Sequence, residues 1–245
     1  IADSDAGSRN WGRLAVGRDV EVYDDYRELL RRARVDAVVV ATPNFTHHDV
    51  LRAVFETRVH ALVEKPVCTE IEHCQWLVDA AEKHPGIVWV GMEYRYMRPV
   101  ARLVAEVHGG AVGRLVMLAI REHRFPFLKK VADWNRFNRN TGGTLVEKCC
   151  HFFDLMNVIV RQRPLRVYAS GAADVNHRDE RYDGAQPDIL DNAFAVVDFE
   201  GGARALLDLC MFAENSTNEM EIAATGDRGK VEAFVPAHRL VVTRR

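Results

Sequence analysis

The stretch Ala37-Val38-Val39-Val40-Ala41-Thr42-Pro43-Asn44-Phe45-Thr46-His47 decides the fold. Five small or β-branched residues run without a polar break, and Thr42-Pro43-Asn44 then ends them. An unbroken run of this kind is the pattern of a strand buried on both faces in a parallel sheet. A helical segment is predicted over residues 47–56. A second apolar strand follows at 59–63 and stops at Glu64-Lys65-Pro66. Thr69 is the expected cap of a helix reaching residue 83, and residues 87–91 form one more strand.

Upstream the same grammar holds. Residues 1–5 read as the end of a strand entering a turn. Residues 11–15 are predicted as a short helix, 20–23 as a short strand, and 25–33 as a helix with Asp24 or Asp25 as N-cap. Strand and helix alternating at this spacing means βαβ units with right-handed crossovers. In such sheets the residues past the carboxyl ends of the strands line the ligand crevice. Here those are Asp3, Thr42-Pro43-Asn44, Glu64-Lys65-Pro66 and residues 93–96.

After Pro99 the pattern changes. A helix at 100–107 leads through Gly109, Gly110 and Gly113 into longer, alternating strands. These are predicted at 115–124, 165–171, 193–200, 203–210, 220–226, 231–235 and 239–242. The expectation is an α/β domain over residues 1–98, followed by an α+β domain over 99–245 with many strands in one sheet. Residues 176–187 are polar and turn-rich, the composition of a mobile loop.

One long helix sits among those strands, opened by Gly142-Gly143 and running through Thr144-Leu145-Val146-Glu147-Lys148-Cys149-Cys150-His151-Phe152-Phe153-Asp154. Val146, Cys149, Phe153, Met156 and Val160 make one apolar stripe, and Leu145, Phe152, Leu155 and Ile159 a second. A helix apolar on two stripes is mostly buried. Yet Glu147, His151 and Asp154 fall at i, i+4 and i+7. Buried ionisable groups are costly unless paired or used, so chemistry is expected on that line.

The 245 residues suffice for one large or two modest domains. The formal net charge of −2 gives no field to draw the chain to nucleic acid or an anionic membrane. No apolar run approaches the ~20 residues that a spanning helix needs, and no signal peptide is visible. The five cysteines are odd in number and irregularly spaced, so reduced thiols in the cytoplasm are expected. Cys149 and Cys150 point to different faces of a helix, while zinc sites favour spaced pairs, so no metal is expected.

Three positions carry the chemical reading. Lys65 stands between an acid and a proline at a strand end. It is either a solvated surface group or an ammonium aimed into the crevice, and Pro66 permits a cis bond that would turn it there. Glu147 and His151 can touch at i, i+4, so the carboxylate can fix the imidazole tautomer, either for catalysis or as a core hydrogen bond. Asp3 ends the second strand of a dinucleotide fold, where an acid accepts from a ribose hydroxyl. Trp134-Asn135-Arg136 is either a substrate wall or a packing cluster.

Taken in order, Ala41-Thr42-Pro43-Asn44-x-x-His47, Glu64-Lys65-Pro66, Gly91-x-x-x-Arg95-Tyr96, Gly142-Gly143 and Glu147-x-x-x-His151-x-x-Asp154 resemble the Gfo/Idh/MocA oxidoreductases. The resemblance covers nearly the whole chain. It implies a Rossmann-type parallel sheet and a second domain with an open, mostly antiparallel sheet. It also implies NAD or NADP as cofactor, and a sugar, cyclitol or related small molecule as substrate.

By position, Lys65 and His151 look like the family's catalytic lysine and histidine, with Glu147 where an aspartate is usual. Thr42, Pro43, Asn44, His47, Glu64 and Lys65 look like the cofactor floor. Asp3 leans towards NAD, and Ser4 weakens that lean. Arg95, Tyr96, Trp134, Asn135 and Asp154 are substrate-side candidates. The open sheet implies a homo-oligomer, a dimer or tetramer.

Cys149 replaces a glycine usual in the family, so something bulkier stands near the helix start. The first βα unit, of about 30 residues with its G-x-G-x-x-G turn, is not in the chain. Its strand would be central, so the strands near Ile1 and Val22 are expected to lack a partner towards residues 37–41. The chain therefore reads as a fragment of a longer enzyme. The rival readings are a non-catalytic regulator that senses a dinucleotide or sugar, an enzyme that recycles a tightly held cofactor within one turnover, and an inert truncated product.

Overall fold

The computed structural model describes residues 1–17 and 19–245. The chain divides into two units, residues 1–91 and 92–245.

In the first unit, α1 (Ala6–Val16) starts where Asp5 accepts the Ser8 amide at 2.6 Å. That cap lets the helix begin well before residue 11, so it is longer than expected. Asp25 does the same for α2 (Tyr26–Arg32), accepting the Arg27 amide at 2.8 Å. Next come β1 (Ala37–Val40), α3 (His47–Phe55), β2 (His60–Val63), α4 (Ile71–Ala81) and β3 (Val88–Val90). The sheet order is β1-β2-β3, all parallel. Thr69 does not cap α4; Glu70 takes the N-cap position without a side-chain bond.

Two expectations need correction. Residues 20–23 do not form a strand: only an isolated parallel bridge joins Ala2 to Tyr23. A cavity of about 360 Å³, lined by Ile1, Ala2, Leu29, Val38 and Val40 among others, lies beside β1. A segment joined by a single bridge has no ladder to hold it as a strand. The sheet is also not buried on both faces. Val40, Ala61 and Val63 pack under α3 and α4 with Leu51, Val54 and Leu77. Val39, Leu62 and Trp89 pair across the three strands and stay exposed, Val39 at 68%. An unbroken apolar run in sequence does not say whether a cover is present on each side.

The second unit holds α5 (Arg98–His108), β4 (Leu115–His123), three helices α6 (Asn138–Thr141), α7 (Thr144–Glu147) and α8 (Cys150–Val160), then β5 (Pro164–Ala172), β6 (Asn192–Phe199), β7 (Arg204–Cys210), β8 (Met220–Gly226), β9 (Gly229–Val235) and β10 (Arg239–Arg244). Every strand predicted here is found, with ends shifted by a few residues. The sheet runs β10-β9-β8-β4-β7-β6-β5, with only β4 and β7 parallel. Leu118, Ile120, Leu207 and Ile222 point to the face covered by α5 and α8, where Val100, Leu103, Phe152 and Leu155 close the core. The opposite face carries Tyr168 and Phe194 in the open.

The unit boundary falls after Gly91 rather than after residue 98. The single-turn helix Glu93–Tyr96 is held to α8 by Arg95 and Asp154 and by ring stacking of Tyr94 on His151. The expected mobile loop at 176–187 is braced instead. Asp191 accepts the amides of Asp174, Val175 and Asn176, and buried Arg136 donates to Glu180 at 2.8 Å.

Candidate active site

In the first unit the turns after β1 and β2 stand at one sheet edge, because Val40 pairs with Val63 and Val63 with Val90. Thr42 and Lys65 are half-buried there, and Glu64 and Asp3 are exposed. The Lys65–Pro66 bond is cis. Glu64 Oε2 accepts the Lys65 amide at 3.3 Å. Asn44 is buried at the start of its turn.

His47 lies beneath this edge and is fully buried. Its Nδ1 faces the Pro66 carbonyl and its Nε2 the Thr42 carbonyl, both at 2.9 Å. It therefore braces the two turns from below, so the floor it was assigned to is one that it supports. Thr46 ties the first turn further: its hydroxyl donates to the Pro43 carbonyl and lies against Thr42 Oγ1, both at 2.7 Å. Asp3 receives the Asp5 amide on Oδ1 at 2.8 Å, and Arg9 donates to the Asp3 and Ser4 carbonyls.

Whether these residues suit a dinucleotide is answered by the edge itself. Polar groups that are reachable, on turns fixed from below, gather at the carboxyl ends of parallel strands. They fit the nicotinamide and ribose ends of NAD(P). The pyrophosphate would need a G-x-G-x-x-G turn, a pattern not found in the sequence.

In the second unit the expected continuous helix is two helices, α7 and α8, joined through Lys148 and Cys149. Gly142 and Gly143 precede them at φ of 77° and 87°, the left-handed region that only glycine adopts freely. A Cβ on Gly143 would also meet Asn138 Oδ1 at 2.7 Å. Glu147 and His151 are both buried, as the sequence pattern requires.

One acid beside His151 is Glu93, whose Oε1 lies 3.5 Å from Nε2. Tyr94 covers the imidazole, with ring centroids 4.0 Å apart and planes 5° from parallel. Asp154 and Arg95, both substrate-side candidates, form a two-point ion pair with each other, with Nε to Oδ2 at 2.5 Å. That pair anchors Glu93–Tyr96 to α8. Tyr96 is exposed and Trp134 half-buried. Asn135 is buried and donates to the Leu128 carbonyl at 2.9 Å. Cys149 fills the core, and burial pushes its thiol up.

Sequence reasoning placed residues 93–96 at the crevice but missed Lys148 and Glu122. Both are buried and they pair at 2.7 Å. The signal was present: Leu118, Ile120 and Glu122 alternate onto the core face of one strand, and Lys148 interrupts an apolar helix.

A parallel βαβ sheet with a functional edge, joined in one chain to an open antiparallel sheet, defines a two-part dinucleotide-fold protein. Residues 4–92 match the family described as "Oxidoreductase family, NAD-binding Rossmann fold", and residues 105–241 match its "C-terminal alpha/beta domain". The chain belongs to the Gfo/Idh/MocA oxidoreductase family.

It is similar to the myo-inositol 2-dehydrogenase of Thermotoga maritima, 26% identical over 215 residues, covering 87% of this chain and 60% of that protein. It is also similar to the 2,7-anhydro-N-acetylneuraminate hydratase of Mediterraneibacter gnavus, 24% identical over 197 residues, with 78% and 52% covered. The WlbA dehydrogenase of Bordetella pertussis, solved with NADH and UDP-GlcNAcA, shares the fold at a TM-score of 0.85 and 20% identity, covering 100% of this chain and 73% of that one. The chain spans about half the length of the first curated relatives it matches.

Proposed function

We propose that this chain is part of an NAD(P)-dependent dehydrogenase that moves a hydride between nicotinamide and a hydroxyl or keto carbon of a sugar, cyclitol or related small molecule. The observation that carries this reading is the pairing of two features in one member of the family. One is Glu64-Lys65-Pro66 at the carboxyl edge of the parallel sheet. The other is a buried histidine with a carboxylate at 3.5 Å.

When bound, the nicotinamide supplies the hydride acceptor or donor. His151 takes the hydroxyl proton, and Glu93 stabilises the imidazolium so formed. Lys65, by its place in the family motif, is read as donating a hydrogen bond to the reacting oxygen and stabilising its developing negative charge. Glu147 orients and tunes His151 or Lys65. Asp3 supports NAD through the ribose hydroxyls, and Ser4 keeps NADP open. Reduced, dispersed cysteines support a cytoplasmic setting.

The test is NAD and NADP reduction over a panel of sugars and cyclitols. His151→Ala and Lys65→Ala are each expected to lower turnover by about 10²–10⁴-fold. The variants are made in the full-length protein: near-normal turnover in either removes that residue from the mechanism, no turnover on any member with dinucleotide still bound favours the regulatory reading, and no dinucleotide binding favours an inert product.

A second reading has one observation behind it: a relative is named as a hydratase. The same residues would then serve a net reaction without free cofactor exchange. Cofactor that copurifies and does not exchange with added NAD would favour it.

A further inference from the structure

Lys148 is 4% exposed and Glu122 is 1% exposed, and both lie in the core of the second unit. Their pair, at 2.7 Å, contributes little to stability, because desolvating two charges offsets most of their attraction. Its value lies in where it holds the ammonium. Lys148 Nζ donates to the Tyr94 phenol oxygen at 2.5 Å. Arg124 supports the far side, 3.5 Å from Glu122 and 3.4 Å from Glu219. The face of the Tyr94 ring lies flat on His151. Phe152 meets Tyr94 edge-on at 5.8 Å and closes another side.

We infer that Glu122, Lys148 and Tyr94 are a chain of positioning residues that fixes the ring plane of His151. This rests on the reading of His151 as the proton acceptor. The arrangement contains a lysine donating to a tyrosine, which elsewhere can make the phenol a base. Here it does not. Glu122 neutralises the ammonium, and burial together with that carboxylate pushes the Tyr94 phenol up, so it stays protonated. Tyr94 acts through its ring face. The imidazole has one flat wall set by Tyr94, and Tyr94 is fixed at its oxygen by a buried ion pair. Rotating His151 would require breaking the stack, and sliding Tyr94 would require leaving the ammonium. A base held in one orientation keeps its nitrogens aimed through turnover.

The test needs no substrate. Imidazole carbon–proton correlations are recorded on the protein, with the His151 signal assigned by its absence in His151→Gln. In the wild type the stacked ring displaces that signal upfield. Tyr94→Phe keeps a ring but frees it from Lys148. The pair Glu122→Gln with Lys148→Met removes the clamp without leaving a lone buried charge. Both are expected to lose part of the displacement, while the other histidine signals stay in place and report folding.

A wild-type displacement retained in both variants overturns the inference. If the double variant does not fold, Tyr94→Phe alone decides. Normal turnover of His151→Ala would remove the proton-acceptor reading and leave this spectroscopic result standing, so the two fail separately.

Discussion

Arg136 and Glu180 show how single residues order a polar loop. Arg136 is buried, and the loop at 176–187 comes to it through Glu180. Burial alone would raise the Glu180 carboxyl. Hydrogen bonds from Tyr182, His177 and Arg136 outweigh it and bring the group down to about 2. The folded value lies below the unfolded value of about 4.3, so these contacts stabilise fully above pH 4.3 and are lost as the pH falls towards 2. Urea unfolding measured across that window should show the decline, and Glu180→Gln should flatten it. An equal slope in the variant would mean that other carboxylates carry the effect. His47 joins two turns in the same way: two carbonyls meet one ring.

At the scale of elements, α8 does two jobs with two faces. Phe152, Leu155 and Ile159 pack on the sheet, while His151 and Asp154 meet the single-turn helix Glu93–Tyr96. Leu155→Ala leaves a cavity in that core, and a loss of about 2–5 kcal/mol is expected from denaturant unfolding. Asp154→Asn cuts only the anchor to Arg95. It should leave the midpoint of unfolding nearly unchanged and lower turnover, because Glu93 and Tyr94 are then held less firmly against His151. A large fall in stability with normal turnover would reverse that assignment. The apolar periodicity of α8 was plain in sequence. Its break at Lys148 and Cys149 was not, because helical propensity alone gives no reason for it.

At the scale of the molecule, each unit has its own core and its own open sheet face. On the larger sheet, Tyr168, Val196, Leu206 and Ala119 pair across four strands, and Phe194 lies beside them. Ion pairs of Arg166 with Asp198 and Arg121 with Glu221 flank this band. An apolar band rimmed by charge is the anatomy of a protein interface, and it is the face on which the homo-oligomer expected from the family resemblance is tested. Tyr168→Asp with Phe194→Asp should lower the molar mass in light scattering while the far-ultraviolet spectrum stays unchanged. An unchanged mass would mean that this face carries no interface. No helix among the described residues is long and apolar enough to cross a membrane.

The sequence by itself determined the broad order of elements and the parallel and antiparallel characters of the two sheets, and it pointed to Lys65, Glu147 and His151 as motif residues. Those follow from local rules: side chains repeat every two residues in a strand and every 3.6 in a helix, and turn residues end them. Tertiary structure alone decided which faces are covered and which charges meet. Val39 looked buried and is open, because burial depends on a second layer that the strand does not encode. Arg95 and Asp154 looked like two groups for a substrate, and they meet each other across 59 positions. Glu122 and Lys148, far apart in the chain, become one ion pair behind Tyr94. Coulomb attraction and ring stacking act over a few ångströms, and only the packed fold brings such groups that close.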